Sequence, residues 1–259
     1  MKWPASLPTD AIDVLAYYGS WPHWPVPEAD EAGLLRRMER YALRAAVVAS
    51  LTTVFGDPLA GNDELAALAA RHAGRLVGLA TYDPQQAPPP AQVLGRARAA
   101  GLRGLALFPT HHGYELGKEP LVEEALWIAA EYGWPVLVPI RLIMAWTLPA
   151  MPPAQILDAA RRHPRLNFIV AGANYSELDA VLRAMGELRN VYLETSCAQS
   201  LDALKDMVER GGAERVLLGT GQPMQMVSCN LVKVPAAGLT PAEAAAVLRG
   251  NAMRLFGIQ

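Results

Sequence analysis

The sequence predicts a (β/α)8 barrel, and three observations lead to that fold class. Short apolar runs alternate with helical stretches eight times along the chain. The runs are apolar almost throughout, which is typical of parallel strands that are buried on both faces. The length of 259 residues matches the usual size of eight strand–helix units. We therefore expect one barrel domain that spans residues 1–259.

Eight strands are predicted from the apolar runs, in this order: residues 11–17, 45–50, 75–82, 104–109, 135–140, 167–172, 191–196 and 215–221. A doubly wound open sheet is the alternative arrangement of such strands. That fold usually carries a glycine-rich phosphate turn after its first strand. The corresponding turn, Tyr17–Pro25, has no such pattern, so the barrel is preferred.

Helices are predicted between the strands, near residues 28–41, 62–72, 89–100, 119–132, 153–162, 175–186, 199–210 and 240–249. Residues that commonly begin or end helices stand at several of these boundaries. They are the N-cap candidates Asn62, Asp63 and Ser176, the capping box Thr240–Glu243, and the stop signals Gly101 and Gly133. The proline-rich pieces at 22–27, 88–90 and 149–153 fall where loops are expected.

Composition narrows the class of protein. The chain is 52% hydrophobic and 19% charged with a formal net charge of -2, which describes a soluble globular protein without a strong field. The sequence contains no basic stripe, so nucleic-acid binding is not expected. The N-terminus lacks a signal-peptide core and no apolar run is long enough to span a bilayer, so we expect a cytoplasmic protein. Cys197 and Cys229 are expected to be half-buried thiols.

Several segments, in this order and spacing, resemble the amidohydrolase superfamily, in the branch that also contains decarboxylases. They are Ile12–Val14, Gly101–Pro109, Ala130–Val138, His163–Phe168, Asn190–Ser196, Ala213–Gly219 and Arg249–Phe256. The resemblance covers nearly the whole chain. It implies a barrel that holds one or two divalent metals at its C-terminal mouth, where the metal activates a water molecule.

The ligands that the resemblance implies are a His-x-His pair ending strand one, one histidine each ending strands five and six, and an aspartate ending strand eight. The corresponding positions here are Leu15, Tyr17, Pro139, Gly172 and Gly221. Leucine, proline and glycine side chains offer no lone pair to a metal. We therefore expect no catalytic metal at this position and no other cofactor.

Barrel enzymes carry their working residues on the loops that follow the strands. The ligand-binding candidates at these positions are Tyr17, His23, Tyr82, Tyr114, Arg141, Asn174, Glu194 and Gln222. Arg141 is the leading candidate, because a guanidinium presents a planar fork to a carboxylate or phosphate. Its alternative role is an internal salt bridge to Glu194 or Asp13. Asp13 itself is expected to be structural, since a buried carboxylate must be paired or hydrogen-bonded.

His111 and His112 are the catalytic candidates, since imidazole titrates near neutral pH and can act as an acid or base. A packing role for at least one of them is the alternative. Ser196 and Cys197 lack the motif of an activated nucleophile.

Three functions remain open from the sequence. The first is a metal-free barrel that binds a small, anionic molecule or a partner at its mouth. The second is a metal-independent hydrolase or decarboxylase, in which Arg141 holds a substrate carboxylate and His111 or His112 moves protons. The third is a structural subunit that pairs with an active homologue through helix faces such as Leu121–Trp127, and a homo-oligomer is also possible.

Overall fold

The computed structural model describes residues 7–22, 24–143, 150–200 and 202–259. Among these residues, nine strands, all pairing in parallel, form two sheets with the orders β1-β2-β3 and β4-β5-β6-β7-β8-β9. The strands are β1 Ala11–Tyr18, β2 Leu43–Ser50, β3 Leu76–Gly78, β4 Ala80–Thr81, β5 Leu105–Ala106, β6 Val136–Pro139, β7 Phe168–Ala171, β8 Val191–Glu194 and β9 Val216–Leu217.

The two sheets are one closed barrel. Leu79 alone separates β3 from β4, and its amide donates to Val48 of β2 at 2.9 Å while the next amide, Ala80, donates to Gly104 at 2.8 Å. At the other edge, the amide of Val14 donates to Leu218 and that of Gly221 to Leu15, both at 2.8 Å. The expected eight-stranded barrel is therefore confirmed, with the predicted strand 75–82 divided at Leu79.

The helices are α1 Glu31–Arg40, α2 Leu51–Phe55, α3 Pro58–Arg71, α4 Pro90–Ala99, α5 Pro109–His112, α6 Pro120–Tyr132, α7 Pro153–Arg162, α8 Tyr175–Met185, α9 Ala203–Gly211, α10 Val227–Leu231, α11 Lys233–Ala236, α12 Pro241–Ala245 and α13 Asn251–Phe256. A 3-10 turn, Ala213–Arg215, precedes β9, and a π-helical segment, Ala246–Gly250, joins α12 to α13. No helix in the part of the chain that the structure describes is long and apolar enough to cross a membrane.

The three N-cap candidates Asn62, Asp63 and Ser176, proposed for two helices, were wrong. Helix α3 begins earlier than expected because Asp57 accepts from the amides of Leu59 and Ala60. Asn62 instead binds the strand end at Thr81. Its Nδ2 donates to the Thr81 carbonyl, and its Oδ1 accepts from the Thr81 backbone amide. Asn174, not Ser176, caps α8. The capping box of Thr240 and the left-handed stop at Gly133 are as predicted.

The core has two layers because successive strand residues point to opposite faces. Ile12 and Val14 belong to the cluster inside the barrel, which also holds Phe256 from α13. Ala46 and Val48 belong to the cluster between the sheet and the helices. Each fully buried leucine or isoleucine stabilises the fold by about 1.5–3 kcal/mol, so this scaffold positions the strand ends firmly.

Candidate functional site

The seam that closes the barrel, formed by Asp13, Thr220 and Gln222, is held by one buried carboxylate. Asp13 Oδ1 accepts from the amide of Thr220 at 2.8 Å and from that of Leu15 at 3.0 Å. Its Oδ2 accepts from Thr220 Oγ1 at 2.6 Å and Gln222 Nε2 at 2.7 Å. Burial raises the pKa of Asp13 to about 6, against the lowering effect of these donors. The structural role expected for Asp13 fits this geometry.

Gln222 extends the seam to the helix layer. Its Oε1 accepts from Arg37 Nε of α1 at 3.0 Å, while its Nε2 is held by Asp13. Both ends of the amide are thus bound within the protein, and the side chain is fully buried. The structure places Gln222 in the seam, and the ligand contact predicted for it remains a prediction.

Glu194 ends β8 as a second buried carboxylate. Its Oε1 accepts from the amide of Gly172 and from Ser196 Oγ, both at 2.7 Å, and its Oε2 accepts from the amide of Ser196 at 2.6 Å. Burial raises the pKa of Glu194. Gly219 leaves room for this carboxylate, because a Cβ there would overlap Glu194 Oε2.

Arg141 follows β6 and is paired with Glu177 of α8. Its Nη1 donates to Glu177 Oε2 at 2.7 Å and to the carbonyl of Gly172 at 3.2 Å, and its Nη2 donates to Glu177 Oε1. The salt-bridge partner is therefore Glu177, and the sequence-based partners Glu194 and Asp13 were wrong. Glu177 is held in turn by the capping box with Asn174, whose amide donates to it at 3.1 Å.

Asn174 has a defined structural task. Its Oδ1 accepts from the amides of Tyr175 and Gln199, at 3.0 and 3.2 Å, so it links the loops that follow β7 and β8. Tyr175 begins α8 with φ +44° and is exposed. The predicted ligand contact at Asn174 remains a prediction.

The loops after β4 and β5 present a different kind of polar group. Tyr82 Oη and His112 Nδ1 are buried and have no hydrogen-bond partner among the described residues. His112 Nε2 lies 3.1 Å from the carbonyl of Thr53. Tyr82 and Tyr114 pack in the cluster between sheet and helices, so their rings lie outside the barrel interior, which was not expected of mouth residues. Burial raises the pKa of Tyr82 to about 12.

His111 and His112 lie on the short helix α5, not on a loop. His111 meets the ring of Phe55 edge-on at 5.6 Å. Burial lowers its pKa to about 4, and burial also lowers the pKa of His112. Both imidazoles are thus neutral at neutral pH.

Phe55 connects His111 to a pair of indoles. It stacks on Trp21 with ring centroids 4.9 Å apart, and Trp21 lies 6.4 Å from Trp24. The two indoles line a cavity of about 120 Å³ with residues of the loops after β6 and β9. A larger, more open cavity of about 450 Å³ lies outside them, lined by Tyr114, Lys118 and Gln155 among others. Trp21 and Trp24 both lie in the turn Tyr17–Pro25 that follows the first predicted strand, but the sequence does not reveal that their rings pair.

The remaining predicted residues are placed as follows. Tyr17 is fully buried inside the barrel, and its Oη has no partner among the described residues. His23 lies outside the described residues. Cys197 is buried and Cys229 is exposed, so the expected half-burial was wrong for both. Sequence reasoning missed Glu177 and also Lys233, whose Nζ donates to the carbonyl of Thr195 at 2.7 Å.

The five positions that the resemblance assigns to metal ligands lie at the C-terminal strand ends. Pro139 ends β6, and Gly172 and Gly221 follow β7 and β9 with φ of +72° and +69°. A Cβ at Gly172 would lie 2.6 Å from the carbonyl oxygen of Arg141, and one at Gly221 would lie 2.5 Å from Gln225 Nε2. Within residues 7–22, 24–143, 150–200 and 202–259, no group of three or more His, Cys, Asp or Glu side chains is arranged to hold a metal ion.

Known structures resemble this chain over nearly its whole length. 5-Carboxyvanillate decarboxylase from Sphingomonas paucimobilis aligns with a TM-score of 0.74 at 17% identity, over 97% of this chain and 100% of that one. A probable 2-pyrone-4,6-dicarboxylic acid hydrolase from Acinetobacter baumannii, with citric acid bound, gives 0.72 at 14% identity, over 96% and 100%. An uncharacterized TIM-barrel protein from Bordetella bronchiseptica gives 0.76 at 17% identity, over 95% and 98%.

At sequence identities this low, the structural similarity establishes the shared fold and nothing more. No curated protein shows a significant sequence match to the chain. The family model described as Amidohydrolase matches residues 12–258. That match spans the barrel from β1 to β9 and the five strand-end positions discussed above. The chain belongs to the amidohydrolase family.

Proposed function

We propose that this chain is a metal-independent amidohydrolase-family barrel that has lost the catalytic metal centre and binds a small molecule at its C-terminal mouth. One observation carries the proposal: Leu15, Tyr17, Pro139, Gly172 and Gly221 occupy the five ligand positions. A divalent metal needs imidazole nitrogens or carboxylate oxygens there. Tyrosine is the one donor in this set.

Tyr17 does not fit the role. Burial raises the pKa of its phenol well above the usual value, and the nearby acidic groups Glu194, Cys197 and Asp13 act in the same direction. The hydroxyl therefore stays neutral, and a neutral phenol is a poor ligand for a divalent cation.

The neighbouring carboxylates do not replace the lost donors. Asp13 accepts four hydrogen bonds and Glu194 accepts three, so all four lone-pair sites of Asp13 and three of the four of Glu194 are already engaged. Drawing either one to a metal would leave buried amides unpaired, at a cost of about 1–3 kcal/mol for each group. The residues at the mouth therefore do not fit the metal centre of the family.

The mouth location of the ligand rests on the fold, since barrel proteins bind their substrates at the loops after the strands. The fold neighbours include a decarboxylase and a probable hydrolase of carboxylated compounds, which favours an anionic ligand. The salt bridge of Arg141 argues against an anionic ligand. Its guanidinium already forms a two-point pair with Glu177, so an anion would have to displace a carboxylate.

Metal analysis tests the proposal directly. Untagged protein is measured by elemental mass spectrometry before and after incubation with zinc and with manganese, and is assayed against ester, lactone, amide and carboxylate substrates. We expect less than about 0.1 metal per chain and no turnover above background. A stoichiometric metal would refute the loss of the metal centre. Turnover without metal would favour the metal-independent enzyme, whose candidate base is the Nδ1 of His112, unpartnered among the described residues, and His112→Ala should then abolish it.

A further inference from the structure

We propose that the cavity between Trp21 and Trp24 is a binding site for an uncharged, single-ring aromatic molecule. This ligand class rests on the proposed function, because it specifies what the mouth of the barrel binds. It replaces the anionic ligand expected from the sequence with an uncharged one.

Size sets the first limit on the ligand. The cavity holds about 120 Å³. An apolar protein cavity of roughly 150 Å³ is known to bind benzene. A single six-membered ring is therefore about the limit of what the cavity holds, and a substituent or a second fused ring would have to extend out past Trp24.

The residues that line the cavity determine which ligand charge it can accept. All of the described residues that line the cavity are apolar, including Pro223 and Met224 from the loop after β9 and Ile143 from the loop after β6. The cations on neighbouring loops are engaged elsewhere: Arg141 by Glu177, and Lys233 by the Thr195 carbonyl and Asn230. An anion would lose its hydration without gaining a partner among these residues, which costs several kcal/mol, whereas a cation would gain only the indole faces in return for its lost hydration.

The cavity is also pre-formed on one side. Trp21 is buried and stacks on Phe55, whose centroid lies 4.9 Å away. Pro25, Pro27 and Pro223 contribute walls with fixed φ angles. A rigid wall loses little conformational entropy on binding, so more of the contact energy appears as affinity.

Trp24 supplies the open side. It remains 53% exposed, although an indole is among the most favourable groups to bury. Its ring is tilted by 48° to that of Trp21, so the two indoles do not stack face to face, and both line the cavity that a flat ring would occupy. Binding would cover the apolar face of Trp24 and give the exposed ring a function.

The chain offers a matched control for this role. Trp127 on α6 is 52% exposed and packs edge-on against His163. Trp24→Ala and Trp127→Ala therefore remove equally exposed indoles, and only the first removes a wall of the cavity.

The test uses toluene, benzoate and tetramethylammonium as probes, with saturation-transfer NMR and calorimetry on the intact chain. We expect toluene to bind the wild-type protein and Trp127→Ala alike. Trp24→Ala should weaken binding by about tenfold, which is the scale of one aromatic contact. Benzoate and tetramethylammonium should each bind at least about tenfold more weakly than toluene.

Three results would overturn the site: no toluene binding to the wild type, equal binding to Trp24→Ala, or tighter binding of either charged probe. Circular dichroism of each variant separates lost binding from lost folding. The metal measurement is independent of all of these. A bound metal would refute the proposed function while toluene binding persisted, and a failed toluene test would leave the metal-free barrel intact.

Discussion

Two sides of the barrel mouth differ in their buried polar groups, although Tyr17 Oη on β1 also has no partner among the described residues. On the closing side, around β8, β9 and β1, Asp13 and Glu194 accept seven hydrogen bonds between them. On the side of β4 and β5, Tyr82 Oη and His112 Nδ1 have no partner among the described residues. The difference indicates that the buried carboxylates of the closing side serve to hold the barrel closed. On the side of β4 and β5, the unpartnered polar atoms of Tyr82 and His112 make no such structural hydrogen bond.

The largest expected effect is the loss of the seam carboxylate. Asp13→Ala should lower the free energy of unfolding by about 3–5 kcal/mol, because it leaves four buried donors without an acceptor. Urea unfolding measures this. The exposed Asp10, which pairs with Arg44 and Arg249, is the control, and Asp10→Ala should have a far smaller effect. Equal effects would mean that the seam is not special.

The next effect separates the two sides by pH. The folded-state pKa of Asp13, about 6, lies above the ordinary value of 3.8. Its contribution to stability is therefore present below pH 4 and is lost as the pH rises through 6. His111 has a folded pKa of about 4 against an ordinary value of 6.5, so its contribution is present above pH 6.5 and is lost as the pH falls through 4.

Substitutions isolate the two slopes. From pH 4 to pH 7, the stability of the wild type relative to Asp13→Asn should fall by about 2 kcal/mol, at 1.36 kcal/mol per pKa unit and with part of the change lying below pH 4. Relative to His111→Gln, it should rise by a similar amount over the same range. Urea unfolding at a series of pH values provides both differences. A rising slope for the Asp13 pair would contradict the proposed burial effect.

A glycine substitution gives a smaller effect. Gly219→Ala should destabilise the fold by about 1–3 kcal/mol, because the new methyl group overlaps Glu194 Oε2 and forces the carboxylate from its donors. Gly113, beside α5, has open space where a Cβ would lie, with no described atom within 4 Å, although its φ is +69°. Gly113→Ala should cost only the backbone strain, about 1 kcal/mol. Thermal unfolding of the two variants compares steric crowding with strain.

The smallest effect is expected at a hydroxyl. Tyr82→Phe should change the free energy of unfolding by less than about 0.5 kcal/mol, because Tyr82 Oη has no partner in the part of the chain that the structure describes. Thr220→Val is the matching change in the seam, where it removes a 2.6 Å hydrogen bond to Asp13, and it should cost clearly more. A large loss in Tyr82→Phe would show that its hydroxyl does have a partner.

The sequence predicted the barrel because each strand is a local apolar run. It missed α2, α5, α10, α11 and α13, which have only four to six residues each, too few to show a helical period. It placed Gln222 and Arg141 near the mouth correctly but not their partners. Arg37 meets Gln222 across 185 positions of sequence, and no local pattern encodes such a contact. The metal-ligand positions were readable only because a family pattern supplied the comparison.

The left-handed backbone at Gly172 and Gly221 also has an evolutionary consequence. A histidine or aspartate introduced at either position would adopt a conformation that costs roughly 1–2 kcal/mol. At Gly172 it would also collide with the Arg141 carbonyl, and at Gly221 it would displace the end of the Gln225 side chain. Either substitution alone would thus destabilise the fold. Under the proposal that the metal centre was lost, the two glycines oppose its return, so a new ligand site would be reached more easily than a metal site at these positions.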